Sequence, residues 1–137
     1  MISSQLIRFS SWFPIDKEGI KNSPKKPGTY VIRVKGGKCF RRLQGETDII
    51  YIGSTVQLRR RFYQYLHPGP TQWTNKRINK FLKKYSLEIA WSENDEPGIL
   101  EHNLLRQFAE DHDEFPPLNL QDIRKLKKTL QDTIILQ

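Results

Sequence analysis

Two ionisable groups in this chain stand where packing alone does not place them. In the segment VQLRRRFYQYL, residues 56–66, Leu58, Phe62, Tyr65 and Leu66 recur at helical spacing. At about 100 degrees per residue from Leu58, Phe62 falls at about 40 degrees, Tyr65 at about 340 and Arg61 at about 300. Arg61 therefore borders the apolar stripe, whereas Arg59 and Arg60 point to about 100 and 200 degrees, towards solvent or a phosphate backbone. A partly buried guanidinium needs oxygen partners, and two readings stay open: a snorkelling or salt-bridged surface group, or one aimed at an anion. The same arithmetic on ILEHNLLRQFAEDH, residues 99–112, puts Leu104 at about 40, Phe108 at about 80 and Glu101 at about 100 degrees from Leu100. A carboxylate on that apolar face must be paired, hydrogen-bonded or bound to a metal, unless it reaches past the core to solvent from the first turns of the helix. Tyr30 and Tyr51, in paired strands, are either packed with the hydroxyl at the rim or part of a site. Asn119 either caps a following helix or joins that site, and His67 before Pro68 is a turn residue or a further hydrogen-bonding group.

The elements that must position these groups follow from pattern. Residues 1–27 read as an extension with Trp12, Phe13 and Ile15 as anchors onto a core. From Gly28, Tyr30, Ile32 and Val34 alternate with Thr29, Val31, Arg33 and Lys35, as a half-buried strand requires. Gly36 and Gly37 end it, and a basic linker to Thr47 leaves room for a little extra strand around 39–43. Residues 49–52 are β-formers closed by Gly53, and the short connection favours antiparallel pairing with the first strand. The helix after it takes Ser54 or Thr55 as N-cap and stops at His67-Pro-Gly-Pro. QWTNKRINKFLKKY predicts a second helix with Ile78, Phe81, Leu82 and Tyr85 inward and Lys76, Lys80, Lys83 and Lys84 outward. LEIAWS, 87–92, is a third strand, Pro97 opens the helix that carries Glu101, and QDIRKLKKTLQ predicts a last short helix within a tail, 121–137. The whole, 1–137, reads as one domain with its core over 28–120.

Charge and composition narrow the chemistry. Residues 1–70 hold 13 basic and 4 acidic groups, whereas 88–115 hold 9 acidic and 1 basic. A polyanion such as nucleic acid is drawn to the first region, and the second is where a divalent cation is held. The candidate contacts to nucleic acid are Arg41 and Arg42 in the linker, Arg59, Arg60 and His67 at the first helix, and Lys76 and Lys80 on the second. One cysteine, Cys39, and three scattered histidines supply neither an internal disulfide nor a structural zinc site, so any metal takes oxygen ligands. No apolar run approaches the roughly 20 residues of a membrane span, and the N-terminus lacks a secretory pattern, so the expectation is a cytoplasmic protein without a membrane partner.

The order GTY at 28–30, YIG at 51–53, Arg eight positions after that Gly, Glu on a later helix and PPLN at 116–119 closely resembles the GIY-YIG nuclease superfamily. YIGSTVQLRRRFYQYL is the most specific piece, similar to the nuclease domain of the bacterial excinuclease C subunit. The resemblance implies a small α/β (α+β) fold, a three-stranded antiparallel sheet flanked by helices, and hydrolysis of DNA phosphodiesters with one Mg²⁺ or Mn²⁺. By position, it implies a site of Tyr30, Tyr51, Arg61, Tyr65, Glu101 and Asn119. Glu101 is then the metal ligand, Arg61 neutralises charge on phosphorus, Tyr30 orients or deprotonates the attacking water, Tyr51 and Tyr65 position water or phosphate, and Asn119 holds the Glu101 side. The alternative is a module of the same fold that binds nucleic acid without cutting. Three positions depart from the pattern. Thr29 replaces the usual Ile or Val, residues 36–47 form an inserted loop expected at DNA, and Ser54 stands where relatives of the excinuclease type carry Lys. Lys35, Arg41 and Arg42 are the expected substitutes for that cation. Repair and restriction roles both fit, as do monomer and homodimer.

Overall fold

The computed structural model describes residues 8–120. The expected helix and tail over 121–137 lie outside the described residues. Along the chain run β1 (Phe13–Pro14), α1 (Lys17–Asn22), β2 (Gly28–Val34), β3 (Phe40–Arg41), β4 (Glu46–Thr47), β5 (Ile49–Thr55), α2 (Leu58–Leu66), α3 (Trp73–Leu82), β6 (Leu87–Glu93) and α4 (Pro97–His112).

The fold is α+β, with an antiparallel sheet in the order β1-β6-β2-β5 flanked by helices. It has four strands rather than the expected three, because the extension adds β1, with Phe13 opposite Ile89 and Pro14 opposite Glu88. A proline is tolerated there because β1 is an edge and needs no donor on its outer side. Phe13 stacks on Trp91 at 5.1 Å between ring centres, and Arg33 lies 4.0 Å over the Trp12 ring, so Trp12 and Phe13 do anchor the extension. α1, which the sequence pattern does not announce, is capped by Asp16, whose carboxylate accepts from the Gly19 amide at 2.9 Å.

Tyr30 and Ile32 of β2 share one face of the sheet with Leu58, Phe62 and Tyr65 of α2 and Ile78 of α3. On the opposite face α4 packs Leu105 and Phe108 against Ile52, with Val31 alongside. This division is the alternation of successive strand residues made three-dimensional. α2 begins later than Ser54 or Thr55: β5 runs through Thr55, the cap position is Gln57, and the Thr55 hydroxyl accepts from the Gln57 amide at 3.2 Å in the intervening turn. The expected extra strand is real and becomes a two-stranded ribbon, β3 with β4. Phe40 sits between Phe81 and Tyr85, and Arg42 pairs with Glu114 at 2.6 Å, so the inserted loop is held between the ends of α3 and α4.

Candidate active site at the edge strand

β5 is the edge of the sheet, and the site gathers around it. Tyr30 of β2 lies opposite Gly53 of β5, with Ile32 opposite Tyr51. A Cβ on Gly53 would stand 2.6 Å from Tyr51 Cε2 and 2.7 Å from the Tyr30 hydroxyl, distances no side chain tolerates. The glycine of YIG is therefore the floor on which both tyrosines rest. Gly28 has a comparable role one end of β2 away, where a Cβ would meet Leu58 Cδ1 at 2.6 Å and the Ser92 carbonyl at 2.7 Å.

Tyr30 and Tyr65 are wholly buried, and their hydroxyls are hydrogen-bonded to each other. Arg61 is half-buried and donates from Nη1 to the Tyr30 hydroxyl at 3.4 Å. Burial pulls the Arg61 pKa down, but the Tyr30 and Tyr65 oxygens outweigh it and the net movement is up, so the guanidinium keeps its charge. Burial pushes the Tyr30 hydroxyl above its ordinary value, with Arg61 opposing and Glu101 adding. Tyr65 is pushed well up by burial and by Tyr30. Tyr51 is raised by burial, then by Tyr30 and Glu101, and is opposed by Arg61 and Arg77. All three are neutral phenols near neutral pH. Tyr51 differs in being half-buried where the other two are wholly buried, so it is the one of the three that reaches solvent in part.

Glu101 approaches the same edge from the other face. Ser54 follows Gly53 in the strand and points to the α4 side, where its hydroxyl donates to Glu101 Oε1. Ser54 is thus a neutral donor that fixes the carboxylate. The start of α4 is fixed as well, because the Thr29 hydroxyl donates to the Pro97 carbonyl at 2.8 Å and accepts from Asn94 Nδ2 at 3.3 Å. Thr29 thereby ties β2 to the helix bearing Glu101.

Asn119 is buried beside β5, where Oδ1 accepts from the Ile52 amide at 2.9 Å and Nδ2 donates to the Ile52 carbonyl at 2.8 Å. Its amide continues the sheet for one residue and braces the strand between Tyr51 and Gly53. The basic candidates divide. Arg60, Arg41 and Lys80 are exposed. Arg59 donates to the Ser23 carbonyl at 2.8 Å and Arg42 is paired with Glu114, so both are spent on structure. His67 lies on the Tyr63 ring at 4.6 Å, and Lys76 donates to the Pro70 carbonyl at 2.6 Å. The cations that oppose the rise at the tyrosines are Arg61, at Tyr30 and Tyr51, and Arg77, at Tyr51. Arg77, which opposes the rise at Tyr51, precedes inward-facing Ile78 by one position and Phe81 by four, the same flanking place on its helix that Arg61 has on α2.

No group of three or more His, Cys, Asp or Glu side chains is arranged to hold a metal among the described residues. A single half-buried carboxylate with one oxygen fixed by Ser54 still suits Mg²⁺ or Mn²⁺, hard cations that bind through one or two carboxylates and keep waters and phosphate oxygens as their other ligands. No helix of the described residues is long and apolar enough to cross a membrane.

The arrangement defines a class of site: phenols and a guanidinium on one face of an edge strand, a carboxylate on the other, and a glycine between. No family model matches the sequence, and no curated protein matches it. Among solved structures the chain resembles the GIY-YIG N-terminal endonuclease domain of UvrC from Thermotoga maritima, in two point mutants bound to its catalytic divalent cation. Each has 26% sequence identity and a TM-score of 0.49, over 77% of this chain and 94% of that chain. A third mutant of the same domain matches at 26% identity and TM-score 0.48, over 76% of this chain and 94% of that chain.

Proposed function

We propose that this protein is a metal-dependent DNA endonuclease of the GIY-YIG type, cutting phosphodiester bonds by direct attack of water. The observation that carries the reading is the meeting at Gly53: Tyr30 sits against it, Tyr51 is folded over it, and Ser54 beside it holds Glu101. Nothing in packing calls for a charged arginine, three buried or half-buried phenols and a carboxylate within electrostatic reach of one another, and such groupings mark functional sites.

The roles follow from access. Tyr51 is the phenol that is only half-buried, so it meets the attacking water or the phosphate and places it by hydrogen bonding. Tyr30 is enclosed, and its hydroxyl, with that of Tyr65, orients Arg61. This shifts the water-orienting role from Tyr30 to Tyr51. Arg61 directs fixed positive charge at the phosphate as negative charge builds on its oxygens. Glu101 would hold Mg²⁺ or Mn²⁺, which when bound supplies Lewis acidity at the phosphate and stabilises the leaving oxygen. Ser54 keeps the carboxylate turned to the edge, and Asn119 keeps β5 straight beneath the site.

The test is conversion of supercoiled plasmid to nicked or linear forms in Mg²⁺, Mn²⁺ or EDTA. Cutting that needs metal, is lost in Glu101→Ala, and falls about a hundredfold or more in Tyr51→Phe but less in Tyr30→Phe is the expected result. Absence of cutting in either metal, with DNA still shifted in a gel by wild type and Glu101→Ala alike, overturns it in favour of a binding module. Nicked product points to repair-type use of the site and discrete linear product to restriction-type use.

A further inference from the structure

Arg61 faces more than Tyr30. Its other side lines an open cleft of about 330 Å³ between α2 and the start of α3, completed by Gln64, Gln72, Trp73, Thr74 and Asn75. That volume is at the lower end of the roughly 300–1,000 Å³ that small-molecule sites occupy, room for a group such as one nucleoside. Trp73 is 65% exposed in the described structure, an unusual state for the largest apolar side chain. Its indole carries the Lys76 ammonium 4.5 Å from the ring centre. The Gln72 Oε1 accepts from the Gly69 amide at 2.7 Å and from Asn75 Nδ2 at 3.1 Å, so the part of that side chain left to a ligand is its NH₂ donor.

We infer that this cleft is a nucleotide subsite, in which the base of an unpaired nucleotide next to the scissile phosphate stacks on Trp73. The inference rests on the nuclease reading for its position beside the scissile phosphate, and on the cleft itself for its chemistry. An exposed aromatic face beside cations is the combination that holds single strands: the base covers the ring while the backbone follows the positive charge. A base stacked inside a duplex has no free face to offer, so the subsite selects a strand that is single, frayed or splayed at that nucleotide. The amides of Gln64 and Gln72 and the hydroxyl of Thr74 line the same cleft and offer hydrogen bonds to the base edge. Arg61 joins the subsite to the tyrosine cluster, which places the unpaired base beside the bond to be cut.

The experiment uses the full chain with Glu101→Gln to prevent turnover, alone and combined with Trp73→Phe or Trp73→Ala. Fluorescein-labelled oligothymidine of about 12 nucleotides and a blunt duplex of the same length are the probes, within the site sizes known for single-strand binders. The expected result is single-strand binding about tenfold weaker in Trp73→Ala, largely restored in Trp73→Phe, with indole emission quenched by the single strand and duplex binding unchanged. Circular dichroism identical to the parent confirms that each variant folds. Single-strand binding within twofold of the parent in Trp73→Ala, or equal losses for duplex and single strand, overturns the subsite. The nuclease reading is scored separately on the protein with Glu101 intact: plasmid cutting with Trp73-independent binding removes the subsite alone. Trp73-dependent binding with no cutting of either probe removes the nuclease reading and keeps the cleft as a single-strand binding site.

Discussion

The tyrosine hydroxyls that build the site also set how the protein responds to alkali. Tyr30 and Tyr65 are wholly buried and their pKa values lie above the ordinary phenol value because burial penalises the phenolate. In the unfolded chain both ionise near pH 10. Below that pH folded and unfolded states hold the same protons and these groups give stability no pH dependence. Above it the unfolded chain releases protons that the folded protein keeps, so stability falls, by about 1.4 kcal/mol per pH unit for each buried tyrosine. The urea midpoint should therefore be flat up to about pH 9 and fall steeply towards about pH 11. Tyr65→Phe removes one of the shared hydroxyls; it should lose about 1 kcal/mol at neutral pH and then show a shallower alkaline fall than wild type. Identical slopes in the two proteins would mean that Tyr65 ionises as freely in the fold as out of it.

At the level of elements, the placement of α4 decides where Glu101 stands, and one side chain of β2 controls it. The Thr29 hydroxyl is the donor to the Pro97 carbonyl at 2.8 Å, and Thr29 is wholly buried. Thr29→Val keeps shape and β-branching but leaves that carbonyl without its partner, which should destabilise the fold by about 1–3 kcal/mol and release the first turn of α4. The expected outcome is a loss of cutting rate larger than the loss of DNA binding, read by single-turnover rates beside gel shifts; equal losses would place Thr29 in stability alone. Sequence reveals much of this framework, since strand alternation in β2 and the helical stripes of α2 and α4 report which faces are buried, and those faces carry Tyr30, Arg61 and Glu101. What it hides are contacts between residues distant in the chain. The pairing of Ser54 with Glu101, of Asn119 with Ile52 and of Thr29 with Pro97 spans 47, 67 and 68 positions, and no periodicity encodes such a pair. β1 is hidden for another reason, because two residues containing a proline carry no alternation, and only the anchors Trp12 and Phe13 betray it.

Across the whole molecule, the formal charge of +8 overstates the positive surface available to DNA. Arg42 is consumed by Glu114, Arg33 by Glu88 at 3.0 Å and Arg59 by the carbonyls of residues 21 and 23, so three of the guanidinium groups lock structure instead of facing a phosphate. Exposed charge remains at Arg60 of α2 and Lys80 of α3, the two helices whose ends frame the cleft that Arg61 lines, and at Arg41 of the ribbon. DNA affinity should therefore fall steeply with salt, and the slope of log affinity against log salt counts the phosphates engaged, at about 0.9 per contact on duplex. Lys80→Gln and Arg60→Gln should each reduce that slope by about one contact while leaving thermal stability unchanged, because exposed charges contribute little to folding. Arg42→Gln should do the opposite. It strands the Glu114 carboxylate and loosens the ribbon of β3 and β4, which otherwise closes over the end of α4 through the Leu43 amide and the Gln44 amide to His112 carbonyl bond at 2.9 Å. Its signature is a lower melting temperature with an unchanged salt slope, measured by calorimetry and by fluorescence titration across a salt series. A slope that drops in Arg42→Gln and stays constant in Lys80→Gln would put the ribbon, and not the α2–α3 side, against the nucleic acid.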